Sequence, residues 1–439
     1  MLPVTTGQHW ENWARTESAD PTVVEPATVE EVARLVADAA ATGRRLKPIG
    51  AGHSFSGIGV PADIQVHLAG LRGVIAADAD ARLVTLAAGT HLHEIPGLLA
   101  PLGLAMANLG DVDRQTISGA TSTGTHGTGL GFGGISTQIA GATLVNGRGE
   151  LVHLGADEPD LSAVALGLGA LGVLVDITLR CVPAFNLEAV EAPAKLPEVL
   201  AGWGDSLASI DHYEFYWFPH TDCCLTKSNT RLPAATPASG PSRLRRYVDD
   251  ELLSNKLFGL LCSVGRLAPA VVPAINQLSG RALSARTIVD SSTGVFISAR
   301  DVRFREMEYA IPVDAVPDAL REIRAMIERR RYRVSFPVEV RAAAADSLML
   351  STAAGRRSGY IAVHRYIKDD PADTAAYFAD VEEILTGYAG RPHWGKMHTR
   401  DAEYLRSVYP SFDDFGAVRD RYDPDRVFAN DYLTGVLGD

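Results

Sequence analysis

Pro48-Ile49-Gly50-Ala51-Gly52-His53-Ser54-Phe55 is the stretch on which the fold turns. It follows Arg45–Ile49, a short run that reads as a strand, and its glycines alternate with small residues. Glycine lets a backbone approach a ligand and turn successive N–H groups inward, which makes a concave anion site. The spacing is not G-x-G-x-x-G: after Gly50 and Gly52 the third position is Phe55, so the dinucleotide fingerprint of a doubly wound fold fails here. A true G-x-G-x-x-G occurs at Gly167–Gly172, but it precedes the β-branched run Val173–Leu179 where it should follow a strand, and it reads as a turn.

A second glycine cluster, I-S-G-A-T-S-T-G-T-H-G-T-G, runs from Ile117 to Gly129. Its Ser and Thr hydroxyls add hydrogen-bond donors between the glycines. One such cluster alone reads as an ordinary loop. Two in one domain, both mixed with hydroxyl residues and a histidine, suit a diphosphate ligand with charge at more than one point.

Around these loops the pattern is α+β. Thr28-x-x-Glu31 is a capping box, Val32, Leu35, Val36 and Ala39 recur at helical spacing, and Gly43 stands where the helix should end. Ile64–Leu68 and Leu83–Ala87 read as strands. Ala142–Val145 and Leu151–Leu154 read as a hairpin across the turn-prone Asn146-Gly147-Arg148-Gly149. Beyond Pro183 the texture changes. Glu214–Phe218 and Arg333–Arg341 predict strands, Val316–Arg329 a helix and Phe415–Tyr422 a short helix, while Pro233–Ser242 has the composition of a mobile loop. No internal repeat is visible.

Composition excludes several classes. Of 439 residues, 41 are Lys or Arg and 53 are Asp or Glu, a net charge of −12, which argues against a nucleic-acid binder or an anionic-membrane anchor. With 46% hydrophobic and 21% charged residues the chain is globular, not disordered. No basic-then-apolar leader is seen. The longest apolar run, Leu257–Val272, is too short and too interrupted by Arg266 and Pro269 to span a bilayer. Cys181, Cys223, Cys224 and Cys262 show no C-x-x-C spacing, so no metal site is expected, and a reducing cytoplasm fits.

In the second half, Glu339 and Arg341 lie at i and i+2 in V-E-V-R, so alternation puts both on one strand face. An exposed pair of this kind contributes little; after the apolar Phe336-Pro337-Val338 it is consistent with the wall of a site. Lys396 follows His393-Trp394-Gly395.

Taken together and in order, G-A-G-H-S-F at 50–55, S-T-G-T-H-G-T-G at 122–129 and H-W-G-K at 393–396 resemble the vanillyl-alcohol-oxidase (PCMH-type FAD) flavoprotein superfamily, within it the sugar-1,4-lactone oxidases and alditol oxidases. The resemblance covers essentially the whole chain. It implies a two-part FAD-binding domain at 1–183, a cap (substrate) domain with a mixed sheet and flanking helices at 184–395, and a segment, 396–439, returning to the FAD domain. It implies flavin contacts from Ile49, Gly50, Ala51, Gly52, His53, Ser54, Gly110, Asp111, Ser118, Thr121, Thr123, Gly124, His126, Gly172 and Val173. It implies that FAD is covalently bonded through His53, a neutral imidazole being a nucleophile toward the flavin 8α-methyl position. In the substrate pocket it implies Arg341 and Lys396 polarising the substrate hydroxyl, Glu339 orienting Arg341, and His364 accepting the proton; a glutamine of the alditol oxidases falls at Glu306.

The pattern departs from the alditol oxidases at Asn108-Leu109-Gly110-Asp111 and at Tyr366. Together with E-F-Y-W-F-P at 214–219 it resembles the lactone oxidases more. The expected substrate is therefore an L-gulono- or D-arabinono-1,4-lactone, with an open-chain polyol second. Gly110 lies where superfamily members guard the flavin edge against O2, so the expected electron acceptor is O2, giving H2O2. A turn glycine requiring positive φ is the other reading of Gly110. A dehydrogenase with another acceptor, and a flavin-binding protein without activity, are the other classes.

Overall fold

The computed structural model describes residues 4–5, 8–240, 257–298 and 302–438. Its first half holds two small sheets. Val4–Thr5, Thr22–Val24, Ile64–Val66 and Leu46–Pro48 form one in that order, with parallel pairing among the last three. Leu151–Leu154, Ile139–Val145, Val173–Arg180, Leu83–Ala87 and Val74–Asp78 form the other, antiparallel throughout. The helix Val29–Ala41 begins at the capping box: the Thr28 hydroxyl accepts from the Glu31 amide and the Glu31 carboxylate from the Ala27 amide. Its buried residues Val32, Leu35, Val36 and Ala39 are the four the spacing predicts.

The second half is built on one eight-stranded sheet: Arg286–Ser291, Phe185–Lys195, Cys223–Pro233, His212–Trp217, Val338–Ala343, Ser358–Tyr366, Phe304–Pro312 and Arg391–Pro392. Every pairing in it is antiparallel. The mixed cap sheet expected from the resemblance is thus corrected: hairpins join adjacent antiparallel strands, and the crossovers through 196–209, Val316–Arg330 and Pro371–Gly387 each skip one strand, so parallel strands are never neighbours. The strand predicted over Arg333–Arg341 starts only at Val338, because Arg333–Pro337 forms no ladder. The loop predicted at Pro233–Ser242 is tied to the sheet edge by Ser239, which pairs with Val289; residues 241–242 lie outside the described residues. Leu257–Val272 forms one helix, Phe258–Leu267, and the start of the next. No helix among the described residues is long and apolar enough to cross a membrane.

Strict alternation divides the faces of the large sheet. Phe215, Trp217, Met307, Tyr309, Ile311, Val338, Val340, Ile361 and Val363 form one core under the helices Val316–Arg330 and Pro371–Gly387. Glu214, Glu306, Glu308, Glu339, Arg341 and His364 occupy the alternate positions and face the first half. A second core gathers Val24 to Ala189 and resumes at Trp394, Phe415, Phe428 and Val436. The tail is stitched in by hydrogen bonds as well. Leu46 donates to the Val427 carbonyl (2.8 Å), Gly147 to that of Tyr422 (2.7 Å), and the Asn430 amide to the carbonyls of Gly57 and Val60 (3.0 and 2.8 Å).

Candidate active site

The two glycine loops lie against each other. A methyl group at Gly50 would stand 2.2 Å from Thr116 Oγ1, so only glycine allows this approach. The second loop then docks on the large sheet. Gly129 donates to the Ala342 carbonyl (2.9 Å), the Thr128 hydroxyl donates to that of Tyr213 (2.6 Å), and a Cβ at Gly129 would meet the Asp211 carbonyl at 2.3 Å. The H-W-G-K turn closes the third side. Phe55 donates to the Gly395 carbonyl, the Ser56 hydroxyl to the Trp394 carbonyl, His393 to the Glu308 carbonyl and Met397 to the Glu306 carbonyl.

Two cavities result. The first, about 1120 Å³, is lined by Ile49 to Ser54, Ser118, Thr123 and Gly172, with Lys47 at its wall. The amides of Gly50 to Ser54 donate to no backbone carbonyl among the described residues, and no carboxylate is among the lining residues. Five uncommitted N–H groups in a cavity without negative charge fit the FAD phosphates. The second cavity, about 1520 Å³, lies over the acidic face of the sheet, and Gly110, Asp111, His126, Glu306, Glu308, Arg341, His393 and Lys396 line it. The two share His53, Ser54, Gln115 and Thr123. That junction is where a group held in the first cavity would reach a substrate in the second.

Three of the predicted cofactor residues line neither cavity. Thr121 is fully buried with its hydroxyl on the Ile117 carbonyl, Gly124 packs against Leu166, and Val173 is a core strand residue. Conversely, Leu168 and Gly169, read as a plain turn, form a positive-φ corner that lines the first cavity together with Gly172.

The second cavity is a set of interlocked ion pairs. The Arg341 guanidinium lies 2.8 Å from Glu214 and 3.6 Å from Asp111, and it pairs with Glu339. Burial alone would lower its pKa, but Glu339, Glu214 and Asp111 outweigh burial and hold it well above the ordinary arginine range. Lys396 sits 2.5 Å from Glu306 and 3.6 Å from Glu308. Burial would discharge this lysine; the two carboxylates outweigh that and raise it. In return, and against burial, Lys396 draws Glu306 down to about 2. His126 bonds Glu308 at 2.6 Å and is stacked on Tyr360 at 3.7 Å. His53 is half-buried, and burial first, then Arg114 and His91, lower it to about 4, so its ring is neutral at pH 7. Glu339 and His364 are brought to this network but stand behind Arg341 and Glu306, outside the cavity lining.

Glu214 and Glu308 escape a sequence reading. H-Y-E-F-Y-W and F-R-E-M-E-Y-A show only strand alternation, and charges at alternate positions read as a solvated face. The signal that could have found Glu308 is a second glutamate two residues from Glu306, on the same strand face; Glu214 has no such signal.

A model of FAD-binding domains matches residues 21–155, and one described as D-arabinono-1,4-lactone oxidase matches residues 177–436. The chain is 40% identical to an L-gulono-1,4-lactone dehydrogenase of Mycobacterium tuberculosis over 98% of this chain and 99% of that protein. It is 32% identical to an L-gulonolactone oxidase of Scyliorhinus torazame over 98% of each. A cholesterol oxidase of Brevibacterium sterolicum superposes with a TM-score of 0.84 at 18% identity, covering 99% of this chain and 97% of that one, a likeness of fold alone. With its FAD-binding half, its acidic sheet face and these relatives, the chain belongs to the D-arabinono-1,4-lactone oxidase family of flavin-dependent oxidoreductases.

Proposed function

We propose that this protein oxidises a carbinol of a sugar-1,4-lactone of the L-gulono- or D-arabinono- type, with FAD covalently attached at His53 and O2 as the final electron acceptor. The observation that carries the reading is the junction of the two cavities at His53, with Arg341 and Lys396 lining the second. Bound FAD would supply the two-electron acceptor for the substrate C–H bond.

The chain's own residues supply the rest. Gly50 to Ser54 hold phosphate through uncommitted amides. His53, neutral at pH 7 and stacked on Trp13, offers an imidazole nitrogen for the flavin bond. Arg341 and Lys396 present fixed positive charge to substrate oxygens in a site whose cations cannot relax, because carboxylates hold each from behind. An arrangement of many donors around a deep acidic wall suits a polyhydroxylated ring. Gly110, which has no Cβ, lines the second cavity, where O2 would reach the bound flavin. Four unbridged cysteines accord with a cytoplasmic setting.

A second reading, a dehydrogenase passing electrons to a dye, quinone or cytochrome, is favoured by one observation: the relative at 40% identity carries that name. A panel of aldonolactones and polyols, assayed in parallel for H2O2 and for dye reduction, tests both. Lactone turnover with stoichiometric H2O2 supports the oxidase. Dye reduction without H2O2 supports the dehydrogenase. Xylitol or sorbitol outperforming every lactone would overturn the substrate class.

A further inference from the structure

Glu306 and Glu308 each face a histidine on the acidic side of the large sheet, and the two pairs differ in their protons. His126 Nε2 lies 2.6 Å from Glu308 and its Nδ1 lies 2.8 Å from the Gly127 carbonyl. Both ring nitrogens face acceptors, so this pair already holds a proton between its members. His364 Nδ1 lies 3.2 Å from the Pro337 carbonyl and takes the ring's hydrogen there. Its Nε2 then points at Glu306 Oε1 from 3.4 Å, lone pair against lone pair, and makes no hydrogen bond. The ring is 3% exposed, with Phe304 and Phe336 packed against it. A buried acceptor without a donor is costly, and one added proton would satisfy both atoms.

We propose that Glu306 takes the carbinol proton in the cavity and that His364, directly behind it, holds that proton during the oxidation. This rests on the carbinol-oxidising reading above. The substrate C–O bond becomes C=O as two bonds break. The C–H bond breaks with its electron pair passing to the flavin, which gains the two electrons the substrate loses. The O–H bond breaks and its proton passes through Glu306 to His364 Nε2. Glu306 lines the cavity and is the catalytic group; His364 does not line it and acts through Glu306. Lys396 on Glu306 Oε2 keeps the carboxylate ionised and therefore too weak a base to retain the proton. Lys396 and Glu308 are the other charged groups beside Glu306, and Phe304, Phe336 and Pro337 are uncharged neighbours of His364.

The test is anaerobic reduction of the bound flavin by the best lactone, followed from pH 5 to 9. In the wild-type holoenzyme reduction should slow toward low pH, where solvent protonates the pair before substrate does. Glu306→Gln should reduce roughly 10²-fold more slowly, with little change in KM and no acidic limb; Glu306→Asp should retain the limb, and His364→Asn should displace it. In [15N]histidine-labelled enzyme, the ring identified by its loss in His364→Asn should be neutral at rest and doubly protonated after anaerobic reduction by the lactone. A wild-type rate and pH profile in Glu306→Gln, or a doubly protonated His364 at rest, overturns the proposal while the lactone reading stands. If no lactone or polyol bleaches the wild-type flavin, the carbinol reading falls and takes this with it. Should Glu306→Gln fail to fold, the spectrum of the wild-type protein decides.

Discussion

Trp13 lies nearly parallel to His53, ring centroids 5.7 Å apart and planes 18° from coplanar. A stacked imidazole has one orientation to offer, and on the reading above that orientation aims its free nitrogen at the flavin. His53→Ala should give a protein that binds FAD and releases it on acid precipitation, whereas the wild-type pellet stays yellow. Trp13→Ala should leave a mixture of bound and released flavin. Complete release of flavin from the wild-type holoenzyme would end the covalent assignment.

Arg341 is enclosed by Glu214, Glu339 and Asp111, so its removal does two things. Arg341→Ala should lower kcat/KM by roughly 10²-fold or more through loss of preorganised charge. It should also destabilise the fold by about 3–5 kcal/mol, because three carboxylates lose their shared cation in a buried site. Arg341→Lys should recover more stability than activity, since a point charge cannot reproduce a fork of donors. Urea melts alongside steady-state kinetics would separate the two effects; a fully stable, fully active Arg341→Ala protein contradicts both.

Gly110 does not have positive φ, so a turn requirement does not explain it. A Cβ there would stand 3.1 Å from the His126 carbonyl and 3.4 Å from Thr125 Cγ2, on the wall of the second cavity. Gly110→Ala should therefore crowd this wall, cutting flavin reoxidation by O2 sharply and leaving reduction by substrate nearly intact. Stopped-flow measurement of each half-reaction checks it. Equal losses in both halves would mean that the methyl group displaces the His126 loop instead.

Lys47 is buried at the wall of the first cavity with only long contacts, 3.4 Å, to the Leu168 and Gly169 carbonyls. Burial, then Arg419, lowers it to about 7, against a smaller opposing effect of Asp423. Between pH 7 and the ordinary lysine range the unfolded chain thus holds the extra proton, and stability without flavin rises with pH across that window. Below pH 7 the cost of the buried charge is fully present. Lys47→Met, made in the His53→Ala background so that flavin can be stripped, should stabilise the chain clearly at pH 6.5 and hardly at all at pH 10. A difference independent of pH would show that Lys47 keeps its ordinary lysine pKa in the folded state.

Much of the local structure is legible in the sequence because it rests on local physics. The helix Val29–Ala41 is announced by Thr28 and Glu31, the hairpin Ile139–Leu154 by Asn146-Gly147-Arg148-Gly149, and the helix Val316–Arg330 by its spacing. The large sheet is less legible. The pairing of Phe185–Lys195 with Cys223–Pro233 spans eleven residues, yet glutamates and a lysine interrupt its alternation, and its partner stands some forty residues away in sequence. The site divides in the same way. V-E-V-R shows Glu339 and Arg341 together, since two residues on one strand share a face whatever the fold. Glu308 becomes a partner of His126 only because the second glycine loop docks against another strand, a contact between residues 182 positions apart.

Tyr422, Val427 and Asn430 supply hydrogen-bond partners to backbone laid down near residues 46, 57 and 147. On the ribosome these partners emerge after the entire eight-stranded sheet. The nascent flavin-binding half must therefore wait, its core unsealed, until residues 422–430 are made, while the intervening sheet can pair as it leaves the tunnel. The flavin-binding core is thus closed by residues made after the whole of the sheet that separates its two parts in sequence.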